Sequence, residues 1–260
     1  PKERVICAAS FRERVLHHAI MNICHDSFDS YQIYDSYACR KGKGTHAAIR
    51  RAQLFGRKNR WYLKFDVRKY FDSIDHEVLK QLLSRRFKDK ELLELYYRII
   101  HSYEVAPGVG IPIGNLKSQY FANHYLSISD HFIKEKLQVK AYVRYMDDMV
   151  LWSNNKAELL KIGKKFLSFT GDVLKLELKP FCLNASEKGL PFLGYLLTPY
   201  TIRLNKNSKK RFVLKLKYFT NKLNNDEICQ KDFQNHLVPL LAFAKHANTH
   251  GFRTKCLQII

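Results

Sequence analysis

Two adjacent aspartates between apolar segments constrain the fold of this chain more than any other feature. The segment AYVRYMDDMVLW at 141–152 predicts two β-strands joined by a tight turn at Asp147 and Asp148. Burial of neighbouring carboxylates is costly because like charges raise each other's pKa, and a bound divalent cation would reverse that cost. Asp is also common in ordinary polar turns. The choice between a metal site and a plain turn therefore depends on a third carboxylate.

A third carboxylate ends another apolar strand. The segment WYLKFDV at 61–67 alternates as a strand does, and it carries Asp66. Magnesium prefers a few carboxylate oxygens together with substrate phosphates. Two such ions, about 3.5–4 Å apart, could activate a hydroxyl and neutralise a leaving pyrophosphate, and phosphoryl transfer needs little beyond positioning and charge. The sequence therefore predicts catalytic Asp66, Asp147 and Asp148 holding two Mg²⁺ ions, or Mn²⁺ in their place, with Val67 in the same metal-binding set.

The net charge indicates a polyanionic partner. Lys and Arg total 45 against 24 Asp and Glu, a formal net charge of +21. Nucleic acid and an anionic membrane both fit this charge, but the basic residues are spread along the chain, which favours a broad binding channel. No run of eighteen apolar residues occurs, so we expect no membrane partner. The 6 Cys lack paired spacing, and they predict reduced thiols in a cytoplasmic protein rather than a zinc site.

The order of predicted elements is typical of an α+β fold. Helical spacing of apolar residues recurs over 11–24, near 47–55, and over 76–86, 89–102, 117–137 and 156–176. Asp75 is the expected N-cap of the third of these helices, and Asp72 the expected turn residue before it. A loop rich in Pro and Gly covers 105–115, and 191–199 is typical of a hairpin. From Ser208 onward the pattern is helical and basic, which indicates a C-terminal helical subdomain.

Three segments together resemble a known family. YMDD at 145–148, FDVRKYFDSID at 65–75 and IPIGNLKSQYFAN at 111–123 resemble bacterial reverse transcriptases of the group II intron and retroelement type. Most relatives carry a Gln-Gly pair where this chain has Ile113 and Gly114. That difference, with the Ser118-Gln119 pair that follows, is similar to the reverse transcriptases of diversity-generating retroelements. The resemblance covers nearly the whole chain, and it implies further sequence before residue 1.

The resemblance implies a right-hand polymerase fold and an activity. The expected parts are fingers over 1–60, truncated at their start, a palm of antiparallel sheet and helices over 61–200, and a helical thumb over 201–260. A helical insertion on the fingers side is expected near 87–110. The implied activity is RNA-directed DNA polymerisation, error-prone, on a template-repeat RNA. The implied partners are that RNA, a DNA or RNA primer, dNTPs and a small basic oligomeric accessory protein.

The resemblance also implies roles for side chains around the aspartates. Phe71 is the expected steric gate against the ribose 2′-OH, although a large apolar residue after a strand is often an ordinary core residue. Lys179 is expected near the departing pyrophosphate as a general acid, or else as a cation on the nucleic-acid backbone. The remaining residues expected to bind dNTP are Lys2, Arg4, Arg14, Arg40, Ile113, Gly114 and Gln119. The expected primer grip consists of Phe192, Leu193 and Gly194.

The basic segment 208–223 has an amphipathic pattern. Its sequence, SKKRFVLKLKYFTNKL, places four apolar residues on one helical face and most lysines elsewhere. A thumb that follows the phosphates of a duplex needs this arrangement. A solvated lysine face or a helix lying on a membrane would show the same pattern.

Other functions remain open at this point. One is a different reverse transcriptase, either an intron-encoded maturase or an antiphage enzyme that makes DNA without a template. Ser118-Gln119 and the lack of a recognisable maturase extension argue against the maturase. The other is a catalytically silent RNA-binding scaffold, against which the three intact aspartates argue.

Overall fold

The computed structural model describes residues 6, 7 and 9–258 of the chain. Lys2 and Arg4, which were expected to bind dNTP, lie outside the described residues. The helices are α1 Phe11–Tyr31, α2 Thr45–Lys58, α3 His76–Arg86, α4 Lys90–His101, α5 Leu116–His131, α6 Lys156–Leu174, α7 Lys206–Asn224, α8 Gln230–Lys245 and α9 His250–Leu257. The strands are β1 Trp61–Phe65, β2 Ala141–Tyr145, β3 Asp148–Ser153, β4 Cys182–Ala185, β5 Leu190–Phe192, β6 Tyr195–Leu197 and β7 Ile202–Leu204. This mixture of helices and antiparallel sheets confirms the α+β prediction.

The chain divides into two compact units. The first consists of Pro1–Ala48 and Trp61–Leu183, and the second of Ile49–Arg60 and Asn184–Ile260. Fingers, palm and thumb are divisions by function, and their expected bounds remain a prediction. Among the described residues, no helix is long and apolar enough to cross a membrane.

An antiparallel sheet forms the centre of the first unit. Its strand order is β2-β3-β1-β4, and β3 therefore pairs with both β1 and β2. Leu63 and Phe65 of β1 are fully buried, and the ring of Phe65 lies 5.0 Å from that of Phe166 on α6. A Cβ added to Gly163 of α6 would lie 2.8 Å from a methyl group of Leu63, so glycine allows this helix to lie close to the sheet.

Some helix boundaries are explained by capping residues, and others by packing against the rest of the protein. Asp75 accepts a hydrogen bond from the Val78 backbone N–H at 2.9 Å, which confirms it as the N-cap of α3. Helix α1 continues to Tyr31, beyond the predicted end at residue 24, because buried Phe28 packs against aromatic rings of other helices. Helix α5 ends at His131, and its predicted last turn is a π-helix over Phe132–Lys136.

The second unit combines a small sheet with the helices α7, α8 and α9 and with most of α2. Its sheet has the order β5-β6-β7. Helix α7 buries Phe212 and Leu216, and Phe219 stacks on His236 of α8 with ring centroids 4.1 Å apart. The exposed face of α7 carries Lys209, Lys210, Lys215 and Lys217. The predicted amphipathic helix is therefore confirmed, and its expected contact with a duplex remains a prediction.

Candidate active site

The register of the central sheet sets Asp66 beside the acidic hairpin. Phe65 of β1 lies opposite Met149 of β3. Because the strands are antiparallel, the next residue of the chain, Asp66, lies level with Asp148. Asp66, Asp147 and Asp148 all line one cavity of about 660 Å³. The structure thus brings together the three carboxylates that the sequence selected.

A two-residue turn places Asp147 at the tip of the hairpin. Tyr145 pairs with Asp148, so that Met146 and Asp147 alone connect the strands. Met146 has a φ of 53°, a left-handed conformation that costs a residue other than glycine about 1–3 kcal/mol. Such a turn persists only where its surroundings hold it, and Arg144 donates a hydrogen bond to the Met146 carbonyl at 3.2 Å.

Arg144 anchors this turn from inside the protein. Its guanidinium is fully buried and contacts Asp130 through Nε at 2.8 Å and Nη2 at 2.7 Å. It also donates to Asn123 Oδ1 at 3.0 Å, while the Tyr142 hydroxyl donates to Asp130 at 2.7 Å. Burial lowers the pKa of Arg144, but the Asp130 carboxylate raises it by a larger amount. The net effect is a raised pKa. The role of this residue was not predicted from the sequence, although an Arg within the apolar strand AYVRY was a visible signal.

Two lysines pair with two of the three carboxylates. Lys179 Nζ lies 2.6 Å from Asp66 Oδ2, and Lys64 Nζ lies 2.8 Å from Asp148 Oδ1. Within the described part of the chain, Asp147 has no ion pair. Burial raises the pKa of Asp147, and the charges of Asp148 and Asp66 raise it further. Of the three predicted carboxylate ligands, Asp147 is therefore the one whose charge is least compensated by the protein.

The donor set fits magnesium in type and charge. Mg²⁺ takes carboxylate oxygens, and Asp66, Asp147 and Asp148 line this cavity together with a fourth carboxylate, Asp72. In the described ranges, however, no three acidic, His or Cys side chains already stand together as a metal site. Asp66 and Asp148 would have to turn from their lysine partners to bind ions. Val67 lines the same cavity, and because its side chain has no ligand atom, only its carbonyl oxygen could bind a metal.

Part of the cavity wall is apolar. Phe71 and Ile113 both line it, and the Phe71 carbonyl accepts a hydrogen bond from the Ile111 N–H at 2.9 Å. Gly114 has a φ of 112°, and a Cβ there would lie 2.8 Å from Ile6 Cγ2. Glycine is thus required after Ile113, whose side chain offers no hydrogen-bonding group.

One further cation lines the cavity and was not singled out from the sequence. Lys69 is exposed, has a φ of 46°, and leads directly into the short 3₁₀ helix Tyr70–Ser73. Its position between Asp66 and Phe71 in the chain was the available signal.

Four of the expected dNTP contacts do not line this cavity, namely Gly114, Arg14, Arg40 and Gln119. Arg14 is exposed on α1. Arg40 donates to Asp29 at 2.7 Å and to two backbone carbonyls, which lowers the pKa of Asp29. Gln119 accepts a hydrogen bond from the Cys39 thiol at 3.2 Å. Their proposed contact with dNTP remains a prediction without support from this geometry.

The expected primer grip is a tight hairpin of the second unit. Phe192 is fully buried and pairs with Tyr195. The two turn residues, Leu193 and Gly194, have φ values of 50° and 90°, as a two-residue hairpin with a type I′ turn requires. A Cβ at Gly194 would lie 3.0 Å from Phe243. The predicted hairpin is confirmed, while its contact with a primer remains a prediction.

Comparison with known proteins adds an independent line of evidence. Residues 1–197 match the family model described as reverse transcriptase (RNA-dependent DNA polymerase). The Retron Ec73 reverse transcriptase of Escherichia coli is 26% identical over 216 residues, which cover 76% of this chain and 65% of that protein. The group II intron-encoded protein LtrA of Lactococcus lactis subsp. cremoris is 25% identical over 146 residues, 54% of this chain and 24% of that protein.

Other similar proteins extend well beyond the matched region. The putative COX1/OXI3 intron 1 protein of Saccharomyces cerevisiae is 24% identical over 144 residues, 52% of this chain but 17% of that protein. Among solved structures, telomerase from Candida albicans, in complex with the TWJ fragment of telomeric RNA, gives a TM-score of 0.55 at 14% identity. The match covers 95% of this chain and 47% of that chain. The shared fold agrees with the expected right-hand polymerase architecture.

Proposed function

Because this chain belongs to the reverse transcriptase family, we propose that it is an RNA-directed DNA polymerase. The observation that carries the proposal is the meeting of Asp66, Asp147 and Asp148 at one cavity. Its substrates would be dNTPs, an RNA template and a DNA or RNA primer. Bound Mg²⁺ or Mn²⁺ would activate the primer hydroxyl and neutralise the leaving pyrophosphate.

The remaining groups of the cavity suit the same reaction. Lys179 is held at the cavity twice, by its ammonium on the Asp66 side chain and by its backbone N–H on the Asp66 carbonyl at 2.9 Å. An ammonium there could donate a proton to the departing pyrophosphate. The Phe71 ring offers an apolar surface for the sugar of the incoming nucleotide. On α7, the exposed lysines would contact phosphates of the primer–template duplex.

The finer part of the proposal is error-prone copying of a template-repeat RNA in a diversity-generating retroelement. It is supported by Ile113, which places an aliphatic side chain on the cavity wall where most relatives carry Gln. A site discriminates strongly only when a wrong partner leaves polar groups unpaired. A small basic oligomeric accessory protein would complete the assembly in this proposal.

Primer extension tests the proposed function. The full chain, Mg²⁺, dNTPs and a primed RNA template should yield extended DNA, with errors concentrated at template adenines. Errors spread evenly over the bases would favour a group II intron-type enzyme. DNA made without template would favour an antiphage enzyme. RNA binding with no DNA product under any of these conditions would indicate a scaffold and overturn the proposal.

Replacing Ile113 with Gln should make copying more accurate. The new amide can hydrogen-bond near the nascent pair, and one such bond is worth about 1 kcal/mol. We therefore expect errors at template adenines to fall roughly fivefold, measured by sequencing the products. Ile113→Leu keeps the wall aliphatic and should keep the parental error rate. If Ile113→Gln made the same errors at the same rate as the wild type, Ile113 would have no role in copying fidelity.

Replacing Phe71 with Ala should admit ribonucleotides. The ring would no longer oppose the 2′-OH, and forcing an extra atom against a packed side chain costs about 1–3 kcal/mol. The ratio of kcat/KM for dNTP over rNTP should fall about 10- to 100-fold. Phe169→Ala is the matched control, because Phe169 stacks on Phe132 at 3.9 Å and does not line the cavity. Equal ratios in both variants would show that Phe71 is a core residue only.

A further inference from the structure

The first unit has a second cavity, which is lined by none of Asp66, Asp147 and Asp148. Its volume is about 340 Å³, and it is bounded by α1, the end of α4 and residues 111–121. Much of its wall is apolar, and consists of Leu16, Ile99, Ile100, Ile111 and Phe121. The segment before Gly114 separates the two cavities, since Pro112 lines this one and Ile113 lines the other.

A buried lysine faces this cavity without a partner. Lys117 is 2% exposed and has no hydrogen bond or ion pair among the described residues. Burial lowers the pKa of Lys117 to about 8, against the opposing charge of Glu13, so the ammonium is still charged at neutral pH. An unpaired buried charge is costly.

The carboxylate on this wall, Glu13, makes no ion pair with Lys117 among the described residues. Glu13 is an exposed member of the wall, and its Oε2 accepts a hydrogen bond from the Ser10 backbone N–H at 2.8 Å. That bond belongs to the capping box at the start of α1. Glu13 therefore weakens the positive potential of the cavity without supplying a direct contact to Lys117.

His17 and the start of α5 bring further hydrogen-bond donors to this wall, which Arg98, Ser102, Tyr103 and Ser118 also line. His17 is 7% exposed, and its Nδ1 has no partner among the described residues. Burial, with a further contribution from Lys117, lowers the pKa of His17, so it is neutral at pH 7 and can donate as the Nδ1–H tautomer. The side chain of Asn115, the N-cap of α5, accepts from the Ala9 N–H at 3.2 Å and leaves the first-turn amides of α5 uncapped.

We infer that this cavity binds a phosphate group, held by the Lys117 ammonium, His17 Nδ1 and the first turn of α5. These groups supply a charge and several donors around one small space, which a phosphate with its several acceptor oxygens satisfies. The phosphate could belong to a small molecule or to the backbone of a single-stranded RNA. The site lies outside the catalytic cavity, and the inference does not depend on the proposed polymerase activity.

Calorimetric titration of Lys117→Met tests the inference. The probes are inorganic phosphate, pyrophosphate and a short RNA without terminal phosphates, each at constant ionic strength. We expect at least one probe to bind the variant tenfold more weakly than the wild type. A loss confined to phosphate or pyrophosphate identifies a small ligand, and a loss confined to RNA identifies a phosphodiester. Lys164→Met, which removes an exposed lysine of α6, should change each Kd less than twofold.

A second measurement keeps the test independent of folding defects. Without phosphate, Lys117→Met should melt at a higher temperature than the wild type, because no ammonium is desolvated. Saturating probe should raise the Tm of the wild type and not that of the variant. The inference is wrong if no probe binds the wild type, or if each probe binds both proteins equally.

Discussion

Replacing Asp147 with Asn is expected to reduce RNA-templated primer extension about 10³-fold while the protein remains folded. The change removes one of the four carboxylates that line the cavity, at nearly constant side-chain volume. A lost contribution of about 4 kcal/mol to stabilisation of the transition state corresponds to this factor. The measurement is single-turnover extension of a labelled primer. Asp172→Asn, at an exposed carboxylate of α6, should retain wild-type activity.

The stability of the same variant provides a check that does not depend on activity. Asp147 has a raised pKa in the folded state, so its ionisation destabilises the fold as pH rises above the usual Asp range. In metal-free buffer, Asp147→Asn should therefore have the higher Tm at neutral pH, and the advantage should vanish below about pH 4. Added Mg²⁺ should raise the Tm of the wild type more than that of the variant. If Asp147→Asn extended the primer as fast as the wild type, Asp147 would not be a catalytic residue.

Replacing Arg144 with Met is expected to destabilise the protein by about 3–5 kcal/mol, because it leaves the Asp130 carboxylate buried without its partner. Both side chains of this ion pair are fully inaccessible to solvent. Urea unfolding measures the loss. Arg85→Met, at an exposed arginine of α3, should change the free energy of unfolding by less than about 0.5 kcal/mol.

A double variant separates stability from positioning. Arg144→Met with Asp130→Asn removes both charges and keeps an oxygen for the Tyr142 hydroxyl, so it should recover much of the lost stability. Its primer extension should stay low, because the Met146 carbonyl has lost the donor that holds the strained turn. If activity returned together with stability, Arg144 would have a role in folding alone.

The sequence predicted the helices and strands better than the contacts between them. Periodicity located α3 and α6 almost to the residue, because their apolar faces and caps are local. The extra length of α1 depends on Phe28, whose burial results from rings on other helices. The position of β1 between β3 and β4 depends on pairing across long stretches of chain, which no local pattern contains.

At the candidate active site, too, the residues could be predicted from the sequence but their long-range ion pairs could not. Asp66, Asp147 and Asp148 could be selected because each follows or interrupts an apolar strand. The pairing of Lys179 with Asp66, 113 residues apart in the chain, could not be predicted from spacing. The same holds for Arg144 and Asp130, whose ion pair exists only because β2 packs on α5. Long-range charge pairs of this kind are determined by tertiary packing.

The lysines that pair with Asp66 and Asp148 affect the order in which folding and metal binding occur. Lys179 and Lys64 give the chain its own counter-charges for Asp66 and Asp148, so much of the repulsion that would oppose folding is cancelled from within. The cleft can therefore form on the nascent protein before any divalent ion arrives. A divalent ion that binds later would only have to displace the two ammonium groups from Asp66 and Asp148.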